Sequence, residues 1–456
     1  YITIVKKEGL MMTVYDEYQT KLCTPDVAVH LVKDGDWIDY SQTCSFPAEL
    51  DAALAKRRDE LHDIKVRNAI SCRPIQIVEQ DPEQKTFTYN LWHCSGLDRR
   101  YLDAGQAFHS PMIFRNCSSY YERGYAPVNV AMVTVAPMDK HGNFNYGLTN
   151  CCQQAMLDAA DKIILEVNEE MPVVYGMEND HIHISDVDCI VESHAPLCTA
   201  PSRAASDIDR QIAKNIFPYL HDGMTLQLGI GGMPNALGVL IAESDLKDLG
   251  MHTELMSDGY LDLYKAGKIT NKKKKLQKGK GVFSICLGSK ELYEFLDHNQ
   301  DILSAPMQYV NDPETIRQLD DFVSINGCIA MDLYGQVCSE SAGTRQISGT
   351  GGQLDFVTGA YMAAHGKAFL AMPSMHVDKK GVRHSHILPK FTEGDIITTP
   401  RTQAPYMVTE YGVANLSGLT TWQRAEAIIQ IAHPDFREDL IKAAEKQRIW
   451  RRSNKR

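Results

Sequence analysis

Two glutamates beside glycine-rich segments are the residues of this sequence best placed for chemistry. Glu254 lies in an apolar run, MHTELMSDG at 251–259, and Glu340 lies among small residues, SESAG at 339–343. An ionised carboxylate is costly to bury in an apolar strand unless it is paired or functional. Glu254 is therefore either a functional carboxylate or one bonded to a neighbouring Arg or backbone group. Glu340 is the competing candidate, or a turn residue with access to solvent.

The segment 226–238, LQLGIGGMPNALG, predicts a strand, a glycine turn and a helix. Pro234 suits the first position of a helix over 234–249, and Gly250 suits the position just after its end. Such a unit points backbone N–H groups at the sheet edge, where they suit a phosphate or a developing oxyanion. A purely structural turn is the alternative. Pro234 excludes a dinucleotide fingerprint, and a P-loop is excluded because no GK[ST] follows.

A second glycine-rich segment, SGTGGQLDF, occupies 348–356. Its small residues allow a ligand to approach the backbone closely. A structural loop fits this segment equally well when it is taken alone. Two such turns in one domain favour a shared ligand site, and parallel α/β sheets bind ligands at the carboxyl ends of their strands.

Other chemical motifs are incomplete. His181 and His183 alternate on one strand face, but a third metal ligand at a usual spacing is missing, so we predict a structural role and no metal. No G-x-S-x-G occurs, which argues against an α/β-hydrolase. The twelve cysteines are scattered without CxxC, and adjacent Cys151 and Cys152 are poorly placed for a bridge. Free buried thiols in a reducing compartment are predicted.

The 456 residues carry a formal charge of −11, with 44% hydrophobic and 23% charged residues. This composition predicts a soluble, cytoplasmic globular protein and no nucleic-acid partner, whose binding would need a basic surface. No apolar run approaches the ~18 residues of a membrane span, so no membrane association is expected. The lysine run at 272–275 predicts a solvated surface, with attraction of an anionic ligand as the alternative.

Strand patterns alternate with helical patterns along the chain. Strands are predicted at 128–135, 162–167, 224–229, 322–325 and 368–372, and helices at 47–57, 206–217 and 422–432. Alternation of this kind predicts an α/β protein of two similar open domains with largely parallel sheets. Residues 1–11 are predicted to be an extension, 12–205 the N-terminal domain and 206–456 the C-terminal domain, which carries Glu254.

Together these segments resemble the acetyl-CoA hydrolase/transferase branch of the family I CoA-transferases. The resemblance covers almost the whole chain from about residue 11. Its most specific segments are LQLGIGGMPNALG (226–238), HTELMSDG (252–259), YGQVCSESAGTRQISGTGGQLDF (334–356), VTEYGVANLSGL (408–419), VAPMDKHGNFNYG (135–147) and ILEVNEEMP (164–172). AHPDFREDL (432–440) and IWRRSN (449–454) extend it to the C-terminus.

The resemblance implies a homodimer or homotetramer with its active site at the domain interface. It assigns the nucleophile to Glu254, while SESA around Glu340 echoes the S-E-N-G segment of more distant members and leaves Glu340 as the alternative. The implied CoA-binding positions are Gly229, Ile230, Gly231, Gly232, Met233, Ile329, Gly352 and Lys379.

The implied reaction is CoA transfer from a short-chain acyl-CoA, such as butyryl-CoA, to a free carboxylate, such as acetate, through a glutamyl-CoA thioester. CoA is then a substrate, and no resident cofactor is expected. The resemblance also allows 4-hydroxybutyrate or propionate as the acid, or an acyl-CoA hydrolase that uses the same glutamate.

Overall fold

The computed structural model describes residues 5–7, 10–177, 179–200, 204–404 and 406–453. The chain forms two compact units, which we call the first unit (1–200 and 282–310) and the second unit (201–281 and 311–456). Residues 282–310 thus return to the first unit. The domains predicted from the sequence were two contiguous ranges, 12–205 and 206–456, and did not contain this return of the chain. That residues 1–11 are an extension stays a prediction, and residues 1–4 and 8–9 lie outside the described part.

In the described residues the strands are β1 (Val5–Lys7), β2 (Leu10–Met12), β3 (Trp37–Gln42), β4 (Ile64–Ala69), β5 (Phe87–Leu91), β6 (Ala107–His109), β7 (Val128–Val135), β8 (Asn143–Asn145), β9 (Ala160–Asn168), β10 (His181–His183), β11 (Cys189–Ser193), β12 (Thr225–Leu228), β13 (Gly250–Met256), β14 (Gly281–Cys286), β15 (Ile302–Ser304), β16 (Phe322–Gly327), β17 (Ala330–Asp332), β18 (Val337–Cys338), β19 (Ser341–Ala342), β20 (Arg345–Gln346), β21 (Lys367–Ala371), β22 (Met375–Val377), β23 (Arg383–Ser385), β24 (Ile387–Leu388), β25 (Tyr406–Thr409) and β26 (Gly412–Asn415).

The α-helices in the same residues are α1 (Val14–Lys21), α2 (Pro25–Ala28), α3 (Ala48–Ala55), α4 (Gln76–Gln80), α5 (Asp98–Asp103), α6 (Cys117–Glu122), α7 (Gln153–Ala159), α8 (Asp207–Ile216), α9 (Gly232–Glu243), α10 (Asp258–Lys265), α11 (Lys290–Leu296), α12 (Met307–Val310), α13 (Pro313–Ile316), α14 (Gln353–Met362), α15 (Thr421–Gln430) and α16 (Pro434–Lys446). Within the described part, none of them is both long enough and apolar enough to cross a membrane.

The first unit is built on a seven-stranded sheet in the order β11-β9-β7-β3-β4-β5-β6. Neighbouring strands of this sheet run parallel. Its strand β7, VNVAMVTV, is buried along almost its whole length. An apolar run without polar alternation is typical of a parallel strand covered on both faces.

The second unit contributes six strands to its main sheet, in the order β13-β12-β16-β21-β25-β26. The first five run parallel, and β26 returns antiparallel to β25. From β12 the chain moves through α9 to β13 on one side, while β16 continues through α14 to β21 on the other. Ligands bind at such a switch point, outside the carboxyl ends of the strands. The predicted mixed α/β class with largely parallel sheets is confirmed.

The predicted helix over 234–249 is too long and begins too late. Helix α9 covers Gly232–Glu243, so Pro234 is its third residue, and Gly250 begins β13. Ser244 ends the helix because its hydroxyl binds the Ile241 carbonyl at 2.8 Å and accepts the Leu246 N–H at 3.2 Å. Serine side chains compete in this way with the backbone bonds of a helix.

Candidate active site

Local structure requires glycine at two positions of the turn after β12. Gly231 has a φ of 123°, a conformation that residues with a side chain rarely adopt. A Cβ at Gly232 would overlap Asp209 Oδ2, so the carboxylate of a residue on α8 lies against this turn. Gly229 donates its N–H to the Ile325 carbonyl at 2.8 Å, which ties the turn to β16.

The first turn of α9 presents backbone donors at this edge of the sheet. The first N–H groups of a helix have no partner within the helix, and here those of Gly232 and Met233 are in that position. The Ile230 side chain is 62% exposed, whereas the Met233 side chain is buried. A ligand at this turn can therefore reach Ile230 and little of Met233.

Glu254 lies near the carboxyl end of β13, and its side chain is partly exposed. Strands β12 and β13 pair Thr225 with Gly250 and Leu226 with Met251. Glu254 lies three residues beyond Met251 on β13, and Gly229 lies three residues beyond Leu226 on β12. The side-chain amide of Asn311 donates to Glu254 Oε2 at 2.6 Å. Asn311 is fully buried, so it holds one carboxylate oxygen in a fixed position while the carboxylate keeps access to solvent.

Gly352 brings the second glycine-rich segment onto Glu254. It is the residue before α14, and its φ of −100° is open to any residue type. A Cβ there would nevertheless overlap both Glu254 Oε2 and Asn311 Nδ2. The glycine is needed for close approach of side chains and not for backbone conformation. The structure thus places Gly352, Asn311 and Glu254 in one cluster.

Glu340 lies between β18 and β19 and is only 5% exposed. Burial raises the pKa of its carboxyl, and hydrogen bonds from Thr398 and Thr350 lower it only in part. Its backbone carbonyl accepts the N–H groups of Ile347 and Ser348 at 2.7 and 3.1 Å. The expected turn residue with solvent access is therefore wrong, because this carboxyl is enclosed.

The two remaining predicted CoA positions differ in their placement. Ile329 follows β16 at the carboxyl edge of the sheet, where it is half-buried and donates its N–H to the Cys338 carbonyl at 2.9 Å. Lys379 is exposed at the tip of a separate two-stranded sheet, the β22–β23 hairpin. Ile329 thus lies at the same sheet edge as the glycine turn, whereas Lys379 belongs to another element.

Sequence reasoning missed Asn311, Asp209 and a polar network under the turn. In that network Gln227 Nε2 donates to Asn326 Oδ1 at 3.0 Å, and Ser324 Oγ donates to Gln227 Oε1 at 2.8 Å. The alternation of polar Ser324 and Asn326 in the otherwise apolar strand β16 is a signal that points to this network. Asn311 gives no comparable signal, since an Asn before Asp-Pro also suits a helix start.

The predicted structural role of His183 has direct support. Its Nδ1 lies 2.8 Å from Ser185 Oγ, and its Nε2 lies 3.1 Å from the His141 carbonyl. His181 Nδ1 lies 2.6 Å from Asp180 Oδ1. Both imidazoles therefore have local partners on the β8–β10 side of the first unit.

Comparisons with known proteins cover almost the whole chain. The family models of the acetyl-CoA hydrolase/transferase N-terminal and C-terminal domains match residues 7–199 and 288–444. Butyryl-CoA:acetate CoA-transferase of Anaerostipes caccae is 48% identical over 97% of this chain and 100% of its own length. 4-Hydroxybutyrate coenzyme A transferase of Clostridium kluyveri is 38% identical over 94% of this chain and 98% of its own.

A solved structure agrees with these relatives. The crystal structure of RipA from Yersinia pestis has a TM-score of 0.88 and 35% identity, covering 96% of this chain and 100% of that one. The chain therefore belongs to the acetyl-CoA hydrolase/transferase family, and within it to the CoA-transferases.

Proposed function

We propose that this enzyme transfers CoA from butyryl-CoA to acetate through a glutamyl-CoA thioester on Glu254. The observation that carries the proposal is the Glu254 carboxylate itself. It is held by Asn311, is partly exposed, and lies against side-chain-free Gly352 at the carboxyl edge of a parallel sheet. The choice of butyryl-CoA and acetate rests on the substrates named for the relative that is 48% identical.

The reaction has two matched halves. A Glu254 carboxylate oxygen attacks the thioester carbonyl, the C–S bond breaks, and an acyl–glutamyl anhydride and CoA thiolate result. The thiolate then attacks the glutamyl carbonyl, which forms the glutamyl-CoA thioester and releases butyrate. Acetate attacks that thioester, and the same steps in reverse release acetyl-CoA and restore the carboxylate. Two half-reactions through one covalent intermediate give ping-pong kinetics.

The surroundings of Glu254 supply what a carboxylate lacks as a nucleophile. A glutamate in water has a pKa of about 4.3 and is ionised at neutral pH, but it reacts weakly. Asn311 fixes Oε2, which fixes the direction of Oε1. One well-placed donor to the tetrahedral oxyanion is worth about 3–4 kcal/mol. The Gly229 N–H is donated to the Ile325 carbonyl. We therefore assign the binding of the oxyanion to the N–H groups that follow Gly229 in the turn.

CoA offers binding energy far from the reacting carbonyl. Such energy can position and strain the reacting groups when it is realised only in the transition state. The turn residues Gly229–Met233, with Ile329 and Gly352, line the sheet edge that we propose for the thiol end of CoA. We propose that Lys379 contributes a charge-assisted contact to a CoA phosphate.

Intact-mass measurement after incubation with butyryl-CoA tests the central intermediate. We expect a mass increase equal to CoA minus water, located by peptide mapping on the peptide that contains Glu254. Adding acetate should remove the label and release acetyl-CoA. A protein that turns over while this peptide stays unlabelled would sink the mechanism.

The same experiment separates the alternatives. Free CoA that accumulates without any acid acceptor identifies an acyl-CoA hydrolase, in which water attacks the same thioester. If 4-hydroxybutyrate or propionate removes the CoA label from Glu254 faster than acetate does, that acid is the preferred acceptor. The role of Glu254 is then unchanged. A homo-oligomeric state, a cytoplasmic location and the lack of a resident cofactor stay predictions.

A further inference from the structure

Three buried thiols of the first unit converge at one point, and the reaction proposed for Glu254 makes no use of them. The Sγ atoms of Cys117, Cys151 and Cys152 all lie within 4.8 Å of one another. Cys151 Sγ is 3.6 Å from Cys152 Sγ and 3.4 Å from Met307 Sδ. We call Cys117, Cys151 and Cys152 the three-thiol cluster.

The spacing of the three-thiol cluster suits ligands of a single ion. Zinc–thiolate bonds are about 2.3 Å long, so two thiolates on one tetrahedral ion lie roughly 3.8 Å apart. The sulfurs come from separate elements, with Cys117 at the start of α6, Cys152 just before α7 and Met307 at the start of α12. The Met307 N–H donates to the Cys151 carbonyl at 2.8 Å, which joins two of these elements at the cluster.

A cavity lies beside the three-thiol cluster. It has a volume of about 280 Å³ and is lined by Cys151 and Cys152. Exposed Glu122 and Asp158 also line it, and clefts with carboxylates raise the local concentration of cations. The side-chain amide of Gln42 donates to Cys151 Sγ from the buried side. Such outer contacts orient metal ligands and tune them.

We propose that the three-thiol cluster is a binding site for a soft d¹⁰ cation, with Cu(I) as its preferred ion. In the described residues the cluster contains sulfur ligands only, and thiolates with a nearby thioether select Cu(I). Structural zinc sites need four protein ligands, and this cluster offers three thiols. Zn²⁺ should therefore bind less tightly than Cu(I).

Binding exchanges protons for the metal. Two thiols lose their protons to solvent as their S–Cu bonds form, and the third sulfur binds as a neutral thiol. The product carries a net charge of −1, because two thiolates offset one Cu(I). A single residual charge keeps the cost of burial lower than three thiolates would.

The test uses the full-length protein, reduced and kept free of oxygen. Cu(I) is added as its acetonitrile complex in the presence of bicinchoninate, whose coloured Cu(I) complex reports the copper that the protein does not take. We expect about one equivalent to stay on the protein. The double variant Cys117→Ser with Cys152→Ser should lose that equivalent, and Cys72→Ser with Cys198→Ser is the matched control that should keep it. The control removes another close thiol pair of the same unit.

X-ray absorption on the copper-loaded wild type gives a second readout that needs no variant. We expect a first shell of three sulfur neighbours. A two-sulfur shell, copper retention by the cluster variant, loss of copper by the control, or zinc displacing copper at equal concentration would each overturn the proposal. Circular dichroism checks that both variants fold. If the cluster variant does not fold, the X-ray absorption result on the wild-type protein decides.

Discussion

Glu254 and Glu340 both contact the glycine-rich loop at 348–356, but their surroundings differ. Gly352 of that loop leaves space for the Glu254 carboxylate, and Thr350, two residues earlier, hydrogen-bonds to Glu340. Glu254 is partly exposed and accepts a hydrogen bond from the Asn311 amide. Glu340 is almost completely enclosed, and burial raises its pKa.

The difference teaches what separates a nucleophile from a structural carboxyl. A carboxylate nucleophile must be ionised, reachable by the acyl carbonyl, and oriented by a donor that leaves its second oxygen available. Glu254 has the access, and Asn311 orients its Oε2, whereas Glu340 lacks the access and has a raised pKa that favours its uncharged form. The segment SESA at 339–342, which made Glu340 a candidate, indicates neither the burial of its carboxyl nor its raised pKa.

The largest expected effect comes from exchanging each carboxylate for its amide. Glu254→Gln should lower the rate of acetyl-CoA formation by about 10⁴-fold or more, which is the scale for loss of a covalent nucleophile. It should also abolish the CoA mass label. Glu340→Gln is the matched control, because it makes the same chemical change on the neighbouring carboxyl. Labelling of the Glu254→Gln protein together with loss of labelling in the Glu340→Gln protein would reverse the two roles.

Gly352→Ala should break the Glu254 environment while leaving the backbone unstrained. The new Cβ would displace Glu254 Oε2 and the Asn311 amide, and a displacement of about 1 Å can lower kcat by roughly 100-fold. Gly238→Ala is the control, because this glycine lies within α9 and a Cβ there makes only an ordinary contact, 3.8 Å from the Gly259 carbonyl oxygen. Steady-state rates and melting temperatures of both variants separate an effect on the active site from an effect on stability. Equal kcat values for the two would contradict the close packing at Gly352.

Asn311 allows a finer test of the same environment. Asn311→Ala removes a hydrogen bond to a charged group, which is worth about 1.5–3 kcal/mol and so about ten-fold or more in rate. Asn311→Asp instead sets a second carboxylate beside Glu254, which should raise the pKa of Glu254 by like-charge repulsion. The acid limb of the kcat profile should then move to higher pH. An unmoved limb in the Asp variant would indicate that Asn311 acts only through packing.

The sequence predicted the fold better than it predicted the site. Strand β7 falls on the predicted range 128–135, because this run of eight residues is short and rich in β-branched Val and Thr. The end of α9 was missed because Ser244 competes for backbone bonds that a periodicity argument does not see. The return of residues 282–310 to the first unit follows from long-range packing, which no local pattern encodes.

Within the candidate site, the glycines were visible and their partners were not. Gly352 stood out in a cluster of small residues, but its purpose depends on Glu254 and Asn311, which lie 98 and 41 positions earlier in the chain. Gly232 similarly makes room for Asp209 on α8. The three-thiol cluster escaped notice because Cys117 lies far from Cys151 and Cys152 in sequence. Each of these contacts is created by tertiary packing.

The smallest expected effect is a change in how stability depends on pH. Because the pKa of Glu340 is raised in the folded protein, folding is favoured by its protonated form, and this contribution is lost as pH rises from about 4.3 through the folded-state pKa. Glu340→Gln cannot ionise, so it avoids that loss. The unfolding free energy of the variant minus that of the wild type should therefore rise with pH and then level off.

Urea denaturation at several pH values between about 4 and 8 measures this difference, and every other titrating group cancels because both proteins share it. A difference that falls with pH would mean that the ionised Glu340 is stabilised in the folded state. The contrast between the two glutamates would then lose its electrostatic basis and rest on access alone. A rising difference, together with retained transfer activity, places Glu340 as an uncharged structural carboxyl beside the loop that serves Glu254.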